Sequence, residues 1–264
     1  MKILTHVNYF LFKCRSFFGG WRDGRTVDGN SCLEELGEHG YVLIPDFISS
    51  ATADQWREEL LCIYADKSRD IVSVASNGAD SRIFGVDRIS DKFNFFSKNF
   101  EIEKLFSEYV GAPVESSFTM SGRILAAEDN LGSGDGWHRD SFQIQVKSFL
   151  FLTDVTIDNG PLQVIPGTHN LSSIRRMISL GLMGWTQHRY EDKSINQYLA
   201  ATNSNVQPLI CSKGTLALVD TRILHRGRPL DSGERVALTN YLFMRGAEAR
   251  RKAKYFSDVL KVDA

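Results

Sequence analysis

Cysteine is sparse in this chain: Cys14, Cys32, Cys62 and Cys211 are the only four in 264 residues, and no two stand at CxxC spacing. That excludes a zinc knuckle or a dithiol redox pair, and it fits reduced thiols in a cytosolic protein better than a disulfide framework. Charge of one sign is not in excess either. The formal net charge is −1, which argues against a protein that wraps nucleic acid. No apolar run approaches the roughly 20 residues of a membrane-spanning helix. Internal repeats, low-complexity tracts and a linker that would divide the chain are all missing.

What remains is the composition of one large domain with a substantial core, read here as residues 1–264. Its first 25 residues differ from the rest. Lys2, Lys13, Arg15, Arg22 and Arg25 face a single acid, Asp23, among Tyr9, Phe10, Leu11, Phe12, Phe17, Phe18 and Trp21. The apolar run there is short, aromatic and interrupted by Lys13 and Arg15, unlike a secretory signal. Two readings stand: a segment packed on the domain or in a homo-oligomer contact, or an interfacial anchor on the inner face of a membrane.

Helices are predicted first. Thr52-x-x-Gln55 has the pattern of a capping box ahead of Trp56, Leu60, Ile63 and Tyr64 at helical spacing. A second helix is predicted near 100–110, with Ile102, Leu105, Phe106, Tyr109 and Val110 on one stripe and Gly111 as its stop. From Pro113 the texture becomes short strand-like runs divided by turn signals, with one polar, helix-prone insertion at about 170–205. Helices followed by many short strands predict a mainly β fold with flanking helices, a β-sandwich or jelly roll with its core at about 113–245.

The stretch GWHRDSF alternates an imidazole and a carboxylate. In extended chain His138 and Asp140 share one side and Arg139 turns away. Two such neighbours suit a metal, and a third ligand must come from elsewhere. His6 and His39 read as surface residues, His188 as exposed or touching substrate, and His169 as hydrogen-bonded within its turn. His225 stands apart, at the end of the strand-like run TLALVDTRILH. Two histidines and a carboxylate on one face suit non-haem Fe(II) oxygen chemistry, and zinc accepts such ligands too. Arg235, ten residues beyond His225, opens the strand RVALTNYLFM, where it could hold a carboxylate by a bidentate pair.

Taken together, GWHRD, VKSFLFLTDVT, DNGPLQVIPGTHN and LVDTRILHRGRPLDSGERVALTNYLF resemble the phytanoyl-CoA dioxygenase family of Fe(II)/2-oxoglutarate oxygenases over roughly 120–245. GYVLIPDFIS is similar to the opening strand and turn of that family. The resemblance implies a double-stranded β-helix, a distorted jelly roll of cupin-like form, with His138, Asp140 and His225 as iron ligands and Arg235 as partner of the far carboxylate of 2-oxoglutarate. It implies O2-dependent hydroxylation of an unactivated C–H bond, since related halogenases lack the carboxylate that Asp140 supplies.

The chain departs from the pattern at Gly227, where many relatives carry a hydroxyl residue; Thr239, on the strand face of Arg235, is the candidate replacement. Phe149 is the candidate for the aromatic that packs on the cosubstrate, with a plain core role as its alternative. Residues 70–97 and 170–205 are expected to supply the pocket, with Arg82, Arg88, Arg175, Arg176, His188 and Arg189 available to an acidic or phosphorylated substrate, or else forming a solvated surface. If the N-terminus meets a membrane, a glycolipid becomes the natural substrate, and bacterial enzymes resembling this family that hydroxylate the Kdo sugar of lipopolysaccharide supply the specific example. The rival readings are a non-oxidative metal-dependent cupin-like enzyme and a non-catalytic protein that binds metal or 2-oxoglutarate.

The N-terminal segment can be tested directly. Each Lys or Arg near an anionic surface contributes roughly 1 kcal/mol, screened by salt. The membrane reading expects the intact chain to co-sediment with anionic liposomes at low salt and the chain without residues 1–25 to stay in the supernatant. An intact chain that stays in the supernatant removes it.

Overall fold

The structure, a computed structural model, describes residues 29–246 apart from 67, 69, 76, 77, 128–131, 133, 135 and 185. The basic, aromatic segment 1–25 lies outside the described residues. Four helices accompany the first strands: α1 (Gly29–His39), α2 (Ser50–Ala65), α3 (Asp91–Ser97) and α4 (Phe100–Val110). Helix α4 is the one predicted, ending at Gly111 with φ 73°, a left-handed backbone that glycine adopts without strain. The cap of α2 is a correction. Ser49, not Thr52, is the N-cap; its hydroxyl accepts from the Thr52 N–H, so the helix starts three residues earlier than the capping-box pattern indicates.

Among the described residues, twelve strands form two antiparallel sheets. The larger has the order β1 (Tyr41–Ile44), β10 (Leu216–Asp220), β6 (Val146–Phe151), β12 (Glu234–Met244), β4 (Val114–Leu125), β3 (Asp80–Phe84), β2 (Ser73–Val74). The smaller runs β8 (Arg189–Tyr190), β5 (Trp137–His138), β11 (Leu224–Gly227), β7 (Leu162–Ile165), β9 (Gln207–Pro208). Two sheets joined by connections that pass from one to the other make the jelly roll that the alternating patterns predict.

Period-two alternation divides the labour of the large sheet. On β12, Val236, Leu238 and Leu242 join the core, while Arg235, Ala237, Thr239 and Tyr241 line a cavity between the sheets. On β6, Val146 and Leu150 join the same core, and Lys147, Phe149 and Phe151 face the cavity. The apolar stripes of α1 to α4, among them Leu36, Trp56, Leu60, Phe93, Phe96 and Phe106, cover the outer face of the sheet. Each buried side chain of that size contributes roughly 1.5–3 kcal/mol against exposure. The inner faces meet in a second cluster containing Phe151, Val164, Ala217, Val219 and Ile223.

The insertion predicted at 170–205 folds as α5 (Leu171–Ser179), strand β8 and α6 (Asp192–Thr202). It carries an apolar cluster of its own. Ile174, Met177, Met183, Tyr190, Ile195 and Tyr198 pack against Trp137, Ile165 and Leu224 of the small sheet.

The run TLALVDTRILH is not one strand. It breaks after Asp220, whose carboxylate accepts from the Arg222 backbone N–H and guanidinium, and whose carbonyl accepts from Ile223 N–H. The polar triplet Asp220-Thr221-Arg222 thus turns the chain from the large sheet into the small one, and His225 sits inside β11 rather than at the end of β10.

Candidate metal centre

His138 and His225 are direct partners in the antiparallel register of β5 and β11. Their ring centroids lie 4.3 Å apart. Although β5 ends at His138, Asp140 remains on the same side because its N–H donates to the Thr221 carbonyl at 3.0 Å, next to the sheet-changing turn. Arg139 turns away, as the alternation predicts: it is 1% exposed, and its guanidinium donates to the carbonyls of Thr168 and Arg222 beneath the insertion.

The chemistry of the three groups is fixed by their neighbours. Nδ1 of His138 lies 2.9 Å from the Gly136 carbonyl, and Nδ1 of His225 lies 2.9 Å from the Ile223 carbonyl. A carbonyl only accepts, so each Nδ1 carries the proton and each Nε2 presents a lone pair. Both Nε2 atoms face Oδ1 of Asp140, at 3.7 and 3.9 Å. Those separations exceed a hydrogen bond, so the atoms border a common space instead of satisfying one another. One ligand-type atom from each of the three residues lies within 4.8 Å of the others.

Burial holds both histidines neutral. It pushes His225 down to about 4 and lowers His138, with Asp140 opposing in each case. For Asp140, burial alone would raise the pKa. Lys147 above all, then His225 and His138, overcome burial and hold the carboxyl well below the ordinary range. Two neutral imidazoles and one ionised carboxylate are the donor set a divalent metal requires.

The cavity above these residues is also lined by Asp80, Arg82, Met120, Ile124, Phe149, Leu162, Gly227, Arg235 and Thr239. Arg235 is 8% exposed, its Nη1 has no hydrogen-bond partner, and burial lowers its pKa to about 10 against the distant support of Asp80. Asp80 is itself engaged by Arg82. A buried guanidinium nitrogen left open in a cavity is a seat for a carboxylate. Thr239 and Phe149 are register partners on that same wall, so both residues proposed from sequence face the cavity with Arg235. Glycine at 227, on β11 of the small sheet, leaves the opposing wall without a side chain, and Gly132 packs so closely that an added Cβ there would lie 2.0 Å from the Gly227 carbonyl oxygen.

Other expectations are corrected. Of the arginines offered to substrate, only Arg82 lines the cavity; Arg88, Arg175, Arg176 and Arg189 do not, and no residue of 170–205 does among those described. The insertion instead backs the small sheet, with Arg189 donating to the Gly134 carbonyl and His188 resting near Phe142. His169 is buried and bonds to the Gly37 carbonyl of α1, not within its own turn.

Two residues escaped the sequence reading. Lys147 reaches Asp140 from β6, with Nζ 2.6 Å from Oδ2. A lysine on the inward face of VKSFLF, two positions before Phe149, was the signal available. Gly134 has φ +90°, and an added Cβ would lie 2.4 Å from His138 Cε1, so the loop can approach the imidazole only as glycine. Nothing in a single glycine among several marks that approach.

Comparison with known proteins places this geometry in a family. The phytanoyl-CoA dioxygenase family model matches residues 36–237. The ectoine dioxygenase of Halomonas elongata is 24% identical over a match covering 56% of this chain and 49% of that protein, so the chain spans about half the length of this curated relative. Among solved structures, the epimerase SnoN in complex with Fe3+, alpha ketoglutarate and nogalamycin RO shares the fold with a TM-score of 0.62, at 13% identity, over 82% of this chain and 83% of its own. EctD from S. alaskensis with bound Fe likewise has a TM-score of 0.62, at 15% identity, over 85% and 79% of the two chains.

Stability should report the buried neutral imidazoles. A histidine whose folded pKa lies below its unfolded value of 6.5 costs nothing above that pH, and it destabilises progressively as pH falls toward the folded value. The melting temperature of the metal-free protein is expected to hold from pH 8 to 7 and to drop from about 6.5 toward 4. His225→Gln should flatten that drop. A wild-type melting temperature that stays level to pH 4 contradicts the burial of neutral rings.

Proposed function

This chain belongs to the phytanoyl-CoA dioxygenase family, and we propose that it is an Fe(II)/2-oxoglutarate-dependent oxygenase that hydroxylates an unactivated C–H bond, with His138, Asp140 and His225 as its metal ligands. The observation that carries the reading is the pairing of two features in one cavity: three convergent donors, and a buried Arg235 nitrogen without a partner. A metal alone would explain the first feature and leave the second costly.

Iron held by His138, Asp140 and His225 would, with 2-oxoglutarate and O2, supply the oxidising power, the cosubstrate leaving as succinate and CO2 and one oxygen atom entering the substrate. The chain's residues do the rest. His138 and His225 offer Nε2 because backbone carbonyls hold their Nδ1 protons. Arg235 binds the far carboxylate of the cosubstrate, and Thr239 offers the hydroxyl that Gly227 lacks. Phe149 and Phe151 form an apolar wall beside it that limits water. Arg82, paired with Asp80, stands at the cavity wall as a polar group beside the substrate space.

The substrate reading is a small polar molecule or the sugar of a glycolipid, the Kdo sugar of lipopolysaccharide being the specific case. Its support is the basic, aromatic composition of residues 1–25. No helix among the described residues is long and apolar enough to cross a membrane.

Two expectations test the function. Purified protein given Fe(II), 2-oxoglutarate and either lipid-extract or soluble-metabolite pools should release succinate above background with the pool that holds the substrate. Ala at His138, Asp140 or His225 should abolish that release while circular dichroism stays native; full turnover in His225→Ala excludes it as a ligand. Second, losing a buried bidentate partner costs on the order of 2–5 kcal/mol. Arg235→Ala should therefore raise the apparent 2-oxoglutarate constant far more than tenfold. An unchanged constant excludes Arg235 as the partner of that carboxylate.

A further inference from the structure

Asp140 uses its two oxygens differently. Oδ1 faces both histidine Nε2 atoms, at 3.7 and 3.9 Å. Oδ2 is in an ion pair with Lys147 Nζ at 2.6 Å, a charge contact whose angles fall outside hydrogen-bond geometry. The lysine is firmly held. It stands on β6 between β10 and β12, opposite Val219 on one side and Tyr241 on the other. Its Nζ lies 4.4 Å from the centroid of the Tyr241 ring, and that ring stacks on Phe118 at 4.5 Å and 17°. The ammonium thus sits between an aromatic face and one carboxylate oxygen, with 11% of its side chain exposed.

We infer that Lys147 is a positioning residue that restricts Asp140 to one-oxygen coordination of the metal. The inference rests on the metal reading of the triad given above. Its physical content is a count of coordination positions. Two imidazoles and one carboxylate oxygen occupy three positions of an octahedral ion and leave three open on one face. A cosubstrate that chelates through two atoms takes two of these, and one remains for O2. Free carboxylates also bind metals through both oxygens; were Asp140 to do so, a fourth position would be filled and none would remain. Lys147 occupies the second oxygen and withdraws negative charge from the first, so it lowers metal affinity in exchange for an open position.

The sign of that effect separates positioning from mere structural support. A residue needed only to hold the fold should weaken metal binding when lost. Lys147→Met is expected instead to bind Co(II) about tenfold more tightly in chelator competition, because a nearby positive charge has gone. The visible Co(II) absorption should also change in intensity as the ligand number rises. In the anaerobic Fe(II)–2-oxoglutarate form, wild type should bind nitric oxide and give its paramagnetic resonance signal, and Lys147→Met should not. Lys147→Arg, which keeps the charge, should restore wild-type behaviour in all three readouts. Lys147→Gln, polar and uncharged, serves as the second variant if the methionine variant does not fold, and is expected to bind Co(II) more tightly than wild type.

Wild-type protein that binds Co(II), with neutral variants that match it in affinity, spectrum and nitric oxide binding, overturns the clamp alone. Weaker metal binding in the folded neutral variants does the same. Wild-type protein that binds no metal overturns the triad reading, and the clamp falls with it.

Discussion

The antiparallel pairing of β5 with β11 is the constraint on which the site depends. It sets His138 directly opposite His225, and neither strand is long enough to hold that register by itself. Their neighbours supply the rest: β7 and β8 pair on the outer sides, and Asp140 N–H is tied to the turn that delivers β11. A slip of one residue in either strand would send its imidazole to the opposite face of the small sheet, away from the other ring. Backbone register, more than any side-chain contact, therefore determines whether the donors meet. The large sheet contributes the opposing wall, where β12 and β6 set Arg235, Thr239, Phe149 and Lys147 toward the same cavity.

Much of this was legible because strand alternation is a local property. HxD spacing gave two donors on one side, and Arg235 with Thr239 followed from positions i and i+4 of a single strand. The family's motifs supplied the pairing between distant segments that no local rule provides. What stayed hidden depended on long-range packing. Asp220, Thr221 and Arg222 read as the continuation of a strand, yet the Asp220 carboxylate favours a turn and the chain changes sheets. The insertion at 170–205 read as a pocket wall from its polarity, but its amphipathic helices bury their apolar sides on the small sheet. Lys147 was hidden for the opposite reason: a single charge in an apolar strand reads as the solvent face until its partner is known.

Charge in the cavity follows a consistent plan. Lys147 is committed to Asp140 and Arg82 to Asp80, which leaves Arg235 as the cation whose guanidinium retains an open nitrogen. Among the described lining residues the cations thus exceed the acids by one before any metal enters. Such a cavity attracts anions and becomes more attractive to them once a dication is bound. A dicarboxylate answers both demands, one end at the metal and the other at the guanidinium.

The apolar cluster of the insertion includes Trp137 and Leu224, the residues immediately before His138 and His225. The same short strands therefore carry the cap's packing on one face and the imidazoles on the other. A strand of two to four residues cannot loosen on one face and stay rigid on the other. Order in α5 and α6 and order in the two rings become a single thermodynamic quantity, and linkage makes the exchange reciprocal. Whatever steadies the insertion would tighten the hold on a metal at the two rings, and a metal bound there would in turn protect the amide hydrogens of α5 and α6 from exchange.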